Sequence, residues 1–156
     1  MKKILFILLM CLSVSAATKA QDEIKFPSGH EKHDGKPQYF AHLSPKFSVK
    51  NGFVNDLLNA KLNDHVNVVV TEGFVFNGKV VSKTNEGNGL ETITLESNQK
   101  KGLLLSVSRY ARLNGSVDYM GVITSREISD IIMMEKDAIT GNYHWTRKNL
   151  SQMILD

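Results

Sequence analysis

From Val66 onward the chain alternates apolar and polar residues with a period of two, and no other pattern in it restricts the fold as much. Val66, Val68 and Val70 share one face of a strand, with Asn67 and Thr71 on the other. Phe74, Phe76, Gly78 and Val80 line one face of the next, opposite Asn77, Lys79 and Lys83. Strand side chains point alternately to two faces, so such a chain reads as a succession of half-buried antiparallel strands. Similar runs cover 91–97, 103–110, 117–125, 130–136 and 143–148. The connectors NEGNG, SNQKKG, RLNG and DAITGN carry glycine or asparagine, which tolerate the positive φ of hairpin turns. The expected fold is mainly β: an antiparallel meander of about seven strands curled into a small barrel or two-layer sandwich.

Within this pattern the stretch FNGKVVSK, Phe76–Lys83, returns 43 positions later as YMGVITSR, Tyr119–Arg126. Glu96 and Gly102 are spaced as Glu135 and Gly141 are, so two similar meanders, 74–110 and 117–148, are predicted. Glycine inside a strand weakens pairing unless the sheet coils or an aromatic lies across the bare backbone. Gly78 and Gly121 are therefore expected at such places, each two residues after an aromatic, Phe76 or Tyr119. Neither glycine opens a helix, so a phosphate-binding loop does not fit.

The region before the strands is of another kind. Residues 21–46 hold all three prolines and many charges without a sustained apolar period, and read as an extended or flexible leader tied down by Phe26, Tyr39, Phe40 and Leu43. The β-domain is then 47–156. Phe53, Val54, Leu57, Leu58 and Leu62 recur at helical spacing after Asn51, a candidate cap, and predict one short helix within 51–62.

Lys2 and Lys3, the apolar run Ile4–Leu12 and the small residues up to Ala20 have the layout of a secretory signal peptide, too short an apolar run to span a bilayer. Cleavage is expected after Ala20, with Ala17 as the second site, giving a periplasmic or extracellular protein. Cys11 lies inside the apolar run, after the bulky Met10, which argues against lipidation; the exported chain then has no cysteine for a disulfide, thiolate site or nucleophile. Losing Lys2, Lys3 and Lys19 takes the 19 basic residues to 16, equal to the 16 acidic ones. Net neutrality gives no support for nucleic acid or an anionic membrane surface as partner.

Among candidate chemistries, His30 and His33 in GHEKHDG, with His42 further on, are weak metal candidates. Their spacing is not that of a helical two-histidine zinc site, and ordering a proline-flanked loop costs entropy. His65 and His144 are the remaining general-base candidates; a solvent-facing His144 opposite a buried Trp145 is the simpler reading. No catalytic residue is assigned and no cofactor is expected. The interleaved aromatic and basic residues of the later strands, Tyr119, Tyr143, Trp145, Arg126 and Arg147, are the candidate binding patch, because these side chains anchor interfaces. Met120, Met133 and Met134 read as gap-filling core.

The series Phe76-x-Gly78-x-Val80, Thr92-Ile93-Thr94-Leu95, Tyr119-x-Gly121-x-Ile123-x-Ser125 and Gly141-x-Tyr143-x-Trp145 resembles the β-rich pro-region ahead of the catalytic domain in some secreted bacterial metallopeptidases, over about residues 66–148. It is also similar to small exported proteins of Gram-negative bacteria. No zinc-binding helix follows, so the resemblance carries over no catalytic residue; it implies a module that binds or restrains a partner. The functional expectation is an exported, non-enzymatic domain that binds another exported or cell-surface protein. The alternatives are a carrier of a small apolar ligand in a closed barrel and an inhibitor or pro-region-like module for a secreted peptidase.

Overall fold

In the computed structural model, which describes residues 35–50, 52–87 and 89–150, eight antiparallel strands form one sheet curled into a half-barrel. Seven are the strands that the alternation predicts: β2 (His65–Thr71), β3 (Phe74–Glu86), β4 (Leu90–Ser97), β5 (Leu104–Ala111), β6 (Val117–Thr124), β7 (Asp130–Lys136) and β8 (Tyr143–Asn149). The eighth, β1 (Lys46–Ser48), is too short to show a period and pairs with β8, with Phe47 opposite Trp145. The sheet order is β1-β8-β7-β6-β5-β4-β3-β2, a plain meander with β1 added at its far edge. The two predicted meanders share a turn geometry: Gly102 and Gly141 both have φ of 71°, a conformation that a side chain strains.

The inner face carries Phe76, Val80, Ile93, Leu95, Leu105, Ile123, Ile132 and Trp145, all essentially inaccessible. The helix α1 (Phe53–Leu58) lays Phe53, Val54, Leu57 and Leu58 against this face. It is shorter than the spacing predicts: Leu62, 55 % exposed, lies beyond it, where Asn63 takes a φ of 72° and turns the chain into β2. The predicted cap Asn51 lies outside the described residues; Gly52 occupies the N-cap position without a side-chain hydrogen bond.

The core also takes Phe40 and Leu43 from the stretch read as leader, while Phe26 and the signal-like residues 1–20 lie outside the described residues. Phe40 packs edge-on against Phe74, and the backbone amides of Tyr39 and Phe40 each donate to the Asp130 carboxylate at 2.8 Å. An acid 2 % exposed at the start of β7 is thus satisfied by backbone donors, and it anchors the segment across one end of the sheet.

Two local findings correct the strand reading. The β3–β4 register slips between Val80 and Ser82, so Val81 is an extra residue and every side chain after it changes face. Lys83, expected outside, sits opposite the buried Ile93, and its ammonium donates to the carbonyls of Leu58 and Ala60 at the end of α1. Gly78 and Gly121 do lie under close neighbours, but different ones. A Cβ at Gly78 would meet Phe76 Cε1 and the Glu96 carbonyl oxygen at 2.7 Å, whereas at Gly121 it would meet Trp145 Cη2 at 2.7 Å rather than Tyr119. Among the described residues no helix is long and apolar enough to cross a membrane.

Candidate binding surface

The five residues of the predicted patch are not brought together. Along a strand at about 3.3 Å per residue, Tyr119 and Arg126 stand roughly 20 Å apart. Tyr119 and Tyr143 lie at the end of the sheet formed by the β5–β6 and β7–β8 turns. Arg126 is exposed in the turn after β6 at the opposite end. Arg147 is at that end as well, occupied by the anchored segment: its amide donates to the Pro45 carbonyl at 2.8 Å and its guanidinium to that of Phe40 at 3.3 Å. Trp145 is fully buried, between Phe53 and Gly121, and belongs to the core.

The two tyrosines do meet. Their rings pack edge to face at 5.4 Å and line a cleft of about 160 Å³ with Val49, Lys50, Phe53 and Asn55. The arrangement depends on where β6 and β7 part. Their ladder runs only from Gly121–Ile123 to Ile132–Met134, and beyond it the backbone amide of Tyr119 has no strand partner among the described residues. The Tyr143 hydroxyl accepts that amide at 3.1 Å and donates to Asp118 Oδ1 at 2.9 Å.

Asp118, 3 % exposed, is the hub of this end. Lys136 Nζ bonds its Oδ1 at 2.7 Å, and Arg112 Nε faces Oδ2 as an ion pair. One carboxylate thereby ties the β5–β6 turn (Arg112), the end of β7 (Lys136) and the start of β8 (Tyr143). The hydrogen bonds from Lys136 and Tyr143, with the Arg112 charge, hold its pKa at about 2 in spite of burial. Burial pushes the Tyr143 phenol above its ordinary value, which keeps it a donor.

The two turns braced in this way each present one bare aliphatic side chain, Leu113 and Ile139, both fully exposed. Val117 and Met120 on β6 are also exposed, at 42 % and 59 %; of the predicted core methionines only Met134 is buried. Asp118, Leu113 and Ile139 are absent from the sequence-based patch. The visible signal for the aliphatics was an apolar residue in each of the connectors RLNG and DAITGN; for Asp118 there was none, since its partners come from other turns and strands.

The histidines are dispersed. His30 and His33 lie outside the described residues, and His42 is exposed. His65 sits at the start of β2 beside Asn98. His144 is on the outer face with Glu135 at 3.8 Å, and Thr146 gives its hydroxyl proton to Glu135 rather than to the imidazole. Among the described residues no group of three or more histidine, cysteine or acidic side chains could hold a metal ion. The chain matches no family model, no curated protein and no solved structure in the comparisons made.

Proposed function

We propose that the protein is an exported, non-enzymatic binding domain that engages another exported or cell-surface protein through the Leu113, Ile139, Tyr119 and Tyr143 end of the sheet. The observation that carries this reading is the bracing of two turns, each with a fully exposed aliphatic tip, by a single buried carboxylate. Exposed aliphatic side chains cost free energy in water. Holding them rigidly beside an aromatic cleft reduces the ordering cost when a partner covers them. The filled concave face, with Trp145, Phe76 and Ile93 inaccessible, weighs against a carried apolar ligand.

The test is cross-linking in the producing cell followed by purification, for the wild type and for the double variant Leu113→Asp, Ile139→Asp. A protein that co-purifies with the wild type and with Val75→Asp, exposed elsewhere on the sheet, but is lost from the double variant supports the reading. Equal recovery with a double variant of unchanged circular dichroism overturns it. So does a small-molecule adduct in native mass spectrometry with no protein partner, which would restore the carrier.

A further inference from the structure

β3 runs to 13 residues and extends beyond the apolar core that it helps to enclose. Its bulge at Val81 turns Lys83 and Asn85 to the concave face, opposite Ile93 and Glu91; an unbulged strand would send Ser82 and Thr84 there instead. Bulges are found beside binding and active sites because they re-aim side chains in this way.

The ladder extends the row that Asn85 begins. Glu91 stands opposite Arg109 on β5, one step beyond the inaccessible Ile93 and Val107, so the concave face turns polar there across three strands. α1 and its C-cap supply the facing wall with Asn55, Leu58 and Asn59. Between the two lies a cleft of about 430 Å³, lined by these three together with Asn85, Glu91 and Arg109. That volume is in the range of about 300–1,000 Å³ usual for small-ligand sites. Asn55 also lines the cleft of Tyr119 and Tyr143, so the two adjoin.

What the polar cleft can hold follows from which of its groups are already committed. Arg109 donates to Glu91 Oε2 at 2.8 Å, and Lys83, 3.8 Å from Glu91 Oε1, gives its ammonium to the carbonyls of Leu58 and Ala60. Both cations are engaged within the chain, which leaves none unpaired for a phosphate or carboxylate. β3, β4 and β5 are interior strands with a neighbour on each side, so a peptide cannot be added as a strand. Leu58 is the sole apolar residue of the wall and is itself 4 % exposed, so an apolar ligand would gain little by burial.

The amides of Asn55, Asn59 and Asn85 remain. Among the described residues none of these three side chains makes a hydrogen bond. Each offers a carbonyl acceptor and two N–H donors, and a hydroxyl group both donates and accepts. Open amides on both walls, beside an acid and a guanidinium that hold each other in place, match an uncharged ligand dense in hydroxyls. The tie from Lys83 to the end of α1 fixes one wall against the other, which lowers the ordering cost of binding.

We infer that this cleft is a binding site for a neutral oligosaccharide. The three asparagines bond its hydroxyls from both walls, Glu91 accepts and Arg109 donates from the floor, and the Tyr119 ring lies beyond Asn55 along the path of a longer sugar chain. Leu113 and Ile139 line neither cleft, so this site and the protein-binding hairpin end can each fail alone.

The test is isothermal titration calorimetry of the natively purified chain with maltohexaose, cellohexaose, xylohexaose and chitohexaose, and with hexagalacturonate as the charged counterpart. Asn59→Ala and Asn85→Ala are exposed positions on opposite walls, and circular dichroism checks their folding. The double variant Leu113→Asp, Ile139→Asp is the control. The expected result is saturable binding of a neutral hexasaccharide at one site per chain. Each asparagine variant should weaken it by about tenfold, the usual worth of a hydrogen bond, and the control should retain it. No binding of any neutral hexasaccharide overturns the proposal. So does a neutral sugar bound equally well by both asparagine variants, which would place the contact elsewhere. Binding of hexagalacturonate alone, lost in high salt, overturns it in favour of an anion site at Arg109.

Discussion

The indole of Trp145 lies across the bare backbone of Gly121, two strands away in the sheet, so closely that a Cβ at Gly121 would stand 2.7 Å from Cη2 and 3.0 Å from Cζ3. The largest side chain of the core is seated because one residue has none. Gly121→Ala should therefore destabilise the domain by about 1–3 kcal/mol, the usual cost of overpacking. Phenylalanine lacks both of those atoms, so in a Trp145→Phe background the same change should cost less. Urea denaturation of the two single variants and the double variant measures the coupling; additivity would show that the contact is not what excludes a side chain at Gly121.

Gly78 provides the harder limit. There the neighbour at 2.7 Å is the Glu96 carbonyl oxygen, part of the ladder, as well as the Phe76 ring. A backbone atom cannot rotate away as a ring or methyl can. Gly78→Ala should lower the melting temperature more than Gly121→Ala does, and thermal melts followed by circular dichroism compare them.

Asp118 makes stability depend on acid. Its carboxyl, at about 2 in the folded chain, has an ordinary value of 3.8 once unfolded. In that interval the unfolded chain binds more protons, so stability rises with pH. The contribution is complete above the unfolded value and is lost as the pH falls through the folded one. Urea midpoints of the wild type should fall between pH 4 and pH 2 more steeply than those of Asp118→Asn, which has no proton to bind. Tyr143→Phe, which removes one donor, should give an intermediate slope. Parallel profiles for all three would show that the carboxylate is not the group responsible.

Lys83 should matter for α1 although it is 25 positions away from Leu58. A cation at the carbonyl end of a helix satisfies orphan acceptors and opposes the negative end of the dipole. Lys83→Met keeps the stem and removes the charge, and should cost about 0.3–1 kcal/mol. Hydrogen exchange should locate the loss: the amides of Leu57 and Leu58 should lose protection more than those of β5. A uniform change would mean that the ammonium does not act on the helix end.

Seven of the eight strands and their approximate boundaries were legible in the sequence because sheet burial imposes a period of two on local residues; the three-residue β1 is too short to show it. The turn glycines were legible for a similar reason, since a positive φ is a property of one residue. What the alternation could not show was set by contacts between distant parts of the chain. The extra residue Val81 reverses the face of Lys83, yet a bulge leaves no mark on composition. Phe40 and Leu43 read as leader because an irregular segment has no period, and their burial depends on Asp130 at the far end of the chain. Tyr119 and Tyr143 were singled out from their type; that they meet, and that Arg126, Arg147 and Trp145 do not join them, was decided by strand direction and sheet order. Periodicity and turn chemistry are written residue by residue. Which side chains converge on Asp118 is a property of the assembled sheet, because hydrogen bonding and packing act between residues that only folding brings together.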